Sequence, residues 1–222
     1  MKTIFCLSIG LLALCNTRGQ ETVYFSNLGQ SATSTSPVAS DSWLFEGFGT
    51  GPNPGGYVLD SVQLAMADAT GNPNGFTVMI YSRVFNGPGF VPGSSLGTLQ
   101  GPFSPVTAGV YDYTPSGNLI LSPNTGYYIV LTSATPSSDG TYNWNRTAYR
   151  PSSIDSWGVD QAFHSSDGNW TGWHSFSDEG YGQFSITAEP APEPSSSWLL
   201  FLGSGILFYV RRHRKYHCRP IP

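Results

Sequence analysis

The chain has 222 residues, 11% of them charged, and a formal net charge of −4 at pH 7. That figure hides an uneven distribution. Residues 20–194 hold three arginines (Arg83, Arg146 and Arg150) and no lysine against all fourteen acids, a charge of −11 for the body. A body this acidic is expected to repel nucleic acid and anionic membrane surfaces, and no nucleic-acid partner is expected. Cys6, Cys15 and Cys218 all lie outside it, so a disulfide framework and a thiol nucleophile are excluded too.

At the N-terminus Lys2 supplies a positive n-region, Ile4 to Leu14 an apolar h-region, and Thr17-Arg18-Gly19 a small-x-small cleavage site. This predicts a secretory signal peptide over 1–19 and an exported domain over 20–189. Acylation at Cys15 is the competing reading, and Leu14 is too large for a good lipobox.

The body alternates short apolar runs with turn chemistry. Thr22 to Asn27 reads as a first strand, and Gln30 to Ser40, rich in Ser and Thr, as a surface loop. Trp43 to Phe48 is a second strand, with Trp43, Phe45 and Gly47 on one parity and Leu44, Glu46 and Phe48 on the other. Gly49 to Gly56 (GTGPNPGG) is turn sequence throughout. Val58, Val62, Leu64 and Met66 share a face that Asp60 interrupts; Phe76, Val78, Ile80 and Val84 share another. The Thr70 to Gly75 link between these runs predicts an antiparallel pair with one face buried. Asn86 to Ser95 reads as loop, and short strands follow at 96–99, 110–113 and 119–121. Tyr127 to Thr132 (YYIVLT) is the most apolar run and the predicted central strand. Tyr142 to Asn145 alternates aromatic with polar residues, and Phe184, Ile186 and Ala188 close the domain before the Glu189 to Pro192 linker. About ten short strands at even spacing predict an all-β fold, an antiparallel sandwich or jelly roll.

Catalytic chemistry has little to work with. His164 and His174 are the body's only near-neutral bases. No Gly-x-Ser-x-Gly elbow accompanies them, and no motif supports paired glycosidase carboxylates. No catalytic residue is assigned, and a surface hydrolase is the least favoured reading. Asp160, Asp167 and Asp178 lack ligand spacing with the histidines, and no Asp-x-Asp-x-Asp-Gly loop is present, so no metal or other cofactor is assigned. A Ca²⁺ held by backbone carbonyls would leave no motif. The most suggestive cluster is aromatic: Tyr142, Trp144, Tyr149, Trp157, Trp170 and Trp173, interleaved with Asn, Asp, Ser and Gly. Rings beside hydrogen-bonding groups stack on pyranose faces, which makes Tyr142, Trp144, Trp157, Trp170 and Trp173 candidate sugar contacts. The competing reading is that tryptophans in a sandwich are core or cover residues.

The C-terminal stretch is the most informative. Pro192-Glu193-Pro194 leads into an apolar run from Trp198 to Val210, then into Arg211, Arg212, Arg214 and Lys215. Cations are retained on the cytoplasmic side, so the body lies outside. Residues 195–210 as helix span about 24 Å against a hydrocarbon core of about 30 Å, and Gly203 and Gly205 weaken that helix. A short, interrupted span suits a segment held briefly in the inner membrane rather than a permanent anchor.

The pattern resembles the PEP-CTERM sorting signal of Gram-negative bacteria. The resemblance implies that exosortase, a membrane-embedded cysteine protease, recognises Pro192, Glu193 and Pro194 and cuts near them. The seven residues from Tyr216 to Pro222 go beyond the usual end of such signals. A second resemblance runs over roughly Val23 to Thr187. SNLGQ (26–30), FGTGPNPGGYVLDSVQLAMADATGNPNGFTVMIYS (48–82) and LILSPNTGYYIVLTS (119–133) look like the choice-of-anchor R domain. It implies a β-rich exported domain and no particular reaction. The expectation is a non-enzymatic protein carried to the cell surface or extracellular matrix, structural or adhesive among exopolysaccharide, with a carbohydrate-binding module as the alternative.

Overall fold

The computed structural model describes residues 21–87, 89–165, 174–175 and 180–192, with the backbone alone at 160–165 and 174–175. Fifteen strands account for its regular structure, and no helix occurs among the described residues. They are β1 (22–26), β2 (34–38), β3 (43–49), β4 (57–71), β5 (77–85), β6 (90–100), β7 (109–115) and β8 (119–121). Next come β9 (126–132), β10 (140–147), β11 (152–153), β12 (158–165), β13 (174–175), β14 (181–182) and β15 (184–190).

All pairings are antiparallel, and the ladder runs β11-β1-β15-β4-β7-β6-β5-β9-β3-β12-β13. It folds back on itself at β7, which pairs with β4 through 109–113 and with β6 through 114–115. The result is a nearly closed antiparallel sandwich. Leu44, Phe48, Val78, Ile80, Ile129 and Leu131 from one layer pack against Phe25, Val62, Leu64, Trp144, Phe184 and Ile186 from the other. Burying each such side chain contributes about 1.5–3 kcal/mol.

The predicted central strand holds its place, since β9 lies between β3 and β5. Its inner residues Tyr127, Ile129 and Leu131 enter the main core. Tyr128 and Val130 form a smaller cluster with Phe45 on the opposite face. A strand covered on both faces reads as an unbroken apolar run.

The interruption at Asp60 has a physical cause. Ala188 pairs with Leu59 and Thr187 with Ser61, so a bulge removes Asp60 from the register. Core residues then switch parity: Leu59 and Val62, three positions apart, both face inward. A bulge inserts one residue and bends the strand, and this lets the 15-residue β4 serve two neighbours on each edge. On one edge lie β15 and β10; on the other lie β8 and β7.

Three expectations need correction. Residues 34–38, expected in a surface loop, form β2 against β10 and bury Ser36 and Val38. Composition misled there because β10 supplies the apolar surface. Part of the expected 86–95 loop is strand, since β6 starts at Phe90 and pairs with Phe85. The expected linker begins inside the sheet, because Glu189 and Pro190 pair with Val58 and Tyr57.

Candidate functional site

Of the five candidate sugar contacts, the three described ones, Tyr142, Trp144 and Trp157, lie in the interior. Tyr142, Trp144 and Arg146 alternate on β10 and point inward, each 0% exposed. Trp144 donates its indole N–H to the Gln183 carbonyl at 3.0 Å. The Tyr142 hydroxyl donates to the Pro73 carbonyl at 3.2 Å, and its ring meets Phe76 edge-on at 5.0 Å. Trp157 lies within an aromatic stack, 4.8 Å from Tyr24 and 6.0 Å from Phe48, with Tyr57 edge-on at 5.1 Å. These three rings are therefore core residues, their faces covered by other side chains. Tyr149 is exposed. Trp170 and Trp173 lie outside the described residues.

Beside Trp144 sits a polar node that composition did not reveal. Glu46 shares the inner parity of Leu44 and Phe48 and is fully buried. Its Oε2 accepts the Gly182 N–H at 2.7 Å, while Oε1 has no hydrogen-bond partner among the described residues. Burial raises the Glu46 carboxyl from 4.5 to about 8, with Arg146 and the Gly182 N–H acting in the opposite direction. The Arg146 guanidinium donates to Ser36 Oγ and to the Gly180 carbonyl. Glu46 and Arg146 come from facing layers, so the node ties the layers together.

Gly182 is required there by close approach. A Cβ at this position would lie 2.2 Å from the Trp144 ring and 2.6 Å from Glu46 Oε2. Gly182→Ala is expected to destabilise the domain by about 1–3 kcal/mol through overpacking, read as a lowered urea midpoint. An unchanged midpoint would show that the ring and carboxylate can move aside freely.

Open features occur elsewhere on the described surface. A cleft of about 480 Å³ lies beside the 114–118 hairpin, lined by Val58, Asp60, Thr114, Ser116, Asn118 and Glu189. Its lining is rich in oxygen and carries no aromatic ring. Among the described residues no three His, Cys, Asp or Glu side chains converge to hold a metal. His164 and His174 are register partners on β12 and β13, a proximity the sequence spacing did not disclose.

A second feature is a hollow of about 390 Å³ where the chain leaves the sandwich, lined by Tyr24, Pro52, Asn53, Tyr57, Asp155 and Pro190 among others. Burial raises the Tyr24 hydroxyl above its usual range, with Tyr57 and Asp155 adding to the shift. Beside the hollow, residues 53–56 close a tight turn: Gly56 N–H donates to the Asn53 carbonyl at 2.8 Å, and Asn53 N–H to the Tyr57 hydroxyl at 3.3 Å. The turn grips the departing chain. Ala191 N–H donates to the Gly56 carbonyl at 2.9 Å, and its carbonyl accepts Asn53 Nδ2 at 3.3 Å. Gly55 permits this approach, since a Cβ there would lie 2.4 Å from the Ala191 oxygen. The sequence marked GPNPGG as a turn and gave no sign of its partner 135 or more residues away.

Residues 190–215 match the PEP-CTERM protein-sorting motif. The match contains Pro192, Glu193 and Pro194, the apolar run, and the cations Arg211, Arg212, Arg214 and Lys215. It indicates an exported surface protein that is processed by exosortase and transiently anchored in the membrane before release. No curated protein matches the chain. Residues from Glu193 onward, including the 195–210 span, lie outside the described residues. Among those described, no helix is long and apolar enough to cross a membrane.

Proposed function

We propose that this protein is a non-enzymatic structural or adhesive component of the extracellular polysaccharide layer. We further propose that its body is related to the choice-of-anchor R domain. The observation that carries the reading is the direct passage from the last strand of the sandwich into the sorting motif: β15 ends at Pro190, where the motif match begins. A folded body joined to its address without a spacer is built for delivery. The inventory of the interior supports a non-catalytic role, since the strongly perturbed Glu46 carboxyl is enclosed between the layers rather than open to a cleft. Exopolysaccharide is the proposed partner and the cell surface or matrix the proposed destination.

Deleting the protein tests this. The expected result is a matrix with altered cohesion or cell attachment and unchanged growth on any polymer. Loss of growth on one polysaccharide with an intact matrix would point to a hydrolase and end the structural reading. The carbohydrate-binding alternative now rests on Trp170 and Trp173, because its other three rings are internal. A glycan array comparing the exported protein with Trp170→Ala and Trp173→Ala separates it. Binding abolished by either change favours the module, and no binding discards it.

A further inference from the structure

The grip on Ala191 bears on how the sorting motif meets its protease. Among the described residues, which end at Pro192, the last one tied to the turn by a hydrogen bond is Ala191, and Pro192, the first of the recognition residues, is exposed. Only residues 192–197 separate Ala191 from Trp198, the start of the apolar run. Fully extended, six residues reach about 20 Å, roughly half the diameter of a domain of about 170 residues. While residues 198–210 are held in the membrane, the body cannot stand clear of it. The end of the sandwich bearing the exit must face whatever reads the motif.

That end is shaped and rigid. The 53–56 turn is closed by its own hydrogen bonds, and it is braced on its far side. Asn124 N–H donates to the Gly51 carbonyl at 2.9 Å, and Thr50 Oγ1 to the Ser122 carbonyl at 2.6 Å. Across the hollow, Asp155 and Ser156 hold left-handed backbone angles, φ 50° and 62°. Non-glycine residues rarely adopt that conformation. A Cβ on Gly51 would come within 2.0 Å of the Asp155 carbonyl oxygen, so the two sides of the rim are fitted to each other. Pro52, Asp155 and Ser156 are exposed along it.

We infer that the rim formed by Pro52–Gly56 and Asp155–Ser156 is a docking surface for the outer face of the membrane-embedded protease, and that the grip on Ala191 holds the sorting motif in register with it. The inference rests on processing by exosortase and adds a second contact beyond the motif. No part of the sandwich has to unfold for cleavage at the Pro192-Glu193-Pro194 element, because Pro192 follows the residue bonded to the turn. Asn53, Gly55 and Gly56 act as positioning residues for the cut.

The test is pulse-chase conversion of the full-length chain to its shorter mature form in cells that carry the protease. A four-residue Gly-Ser insertion between Ala191 and Pro192 leaves the grip and the Pro192-Glu193-Pro194 element intact while lengthening the tether. Because effective concentration falls at least as the −3/2 power of tether length, conversion is expected to slow about twofold or more. Pro52→Arg, an exposed change on the rim, is expected to slow conversion at an unchanged melting temperature. An insertion variant converted at the wild-type rate, or faster, overturns the inference, and so does a Pro52→Arg protein processed normally. Pro192→Ala in parallel reports on the motif itself. If the wild-type chain is not converted at all, the sorting assignment fails and not the docking surface.

Discussion

Trp144→Ala is expected to lower the stability of the exported body by about 3–5 kcal/mol, the usual range for deleting a fully buried tryptophan. The indole fills the space between the layers beside Phe184 and closes its N–H on the Gln183 carbonyl. It also covers Gly182, the donor to Glu46. Truncation therefore removes apolar burial, leaves the Gln183 carbonyl without that donor, and opens the polar node. Urea unfolding followed by a probe other than Trp144 fluorescence measures the change. A loss below about 0.5 kcal/mol, the range of a surface substitution, would mean that the ring does not hold the layers together. Trp144 is thus expected to matter for folding, and a binding assay on this variant would report mainly on the folded fraction.

The second large effect is a dependence of stability on pH. In the unfolded chain Glu46 ionises near 4.5, whereas in the folded sandwich it holds its proton to about 8. Below pH 4.5 both states are protonated and its contribution is fully present. Between 4.5 and 8 the folded state binds more protons than the unfolded state, so stability falls as pH rises. The slope approaches about 1.4 kcal/mol per pH unit for one proton, a few kcal/mol across the window. Repulsion among the other carboxylates of this acidic body acts in the same direction, so the wild-type profile alone does not isolate Glu46. Glu46→Gln retains an acceptor for the Gly182 N–H and removes the ionisation. It is expected to match the wild type near pH 5 and to be the more stable protein at pH 8. Parallel profiles for the two proteins would rule out a buried, titrating Glu46.

Elements with a simple local cause were legible in advance. YYIVLT read as a central strand because both faces of β9 are covered. Of Phe76, Val78, Ile80 and Val84, read as one face, the first three are buried, while Val84, beyond the register shifts at 80–83, is exposed. Features set by distant partners were not legible. β2 looks like a loop in composition, since its order comes from pairing with a strand more than a hundred residues later. Glu46 shared its parity with Leu44 and Phe48 in the sequence, but the Gly182 donor and the nearby Arg146 belong to strands far along the chain. The aromatic cluster was visible as a cluster, while the side on which each ring lies depends on register. The sorting motif was legible because it is read as linear sequence. Its attachment to the 53–56 turn exists only once the sheet has formed.

The position of β15 carries a further consequence. This strand is the last of the body in sequence, yet it lies between β1 and β4, pairing Ala188 with Thr22 on one side and Leu59 on the other. During export from the N-terminus, β1 emerges first and must wait for its partner until nearly the whole body has crossed. The layer therefore cannot be completed until residues 184–190 have crossed.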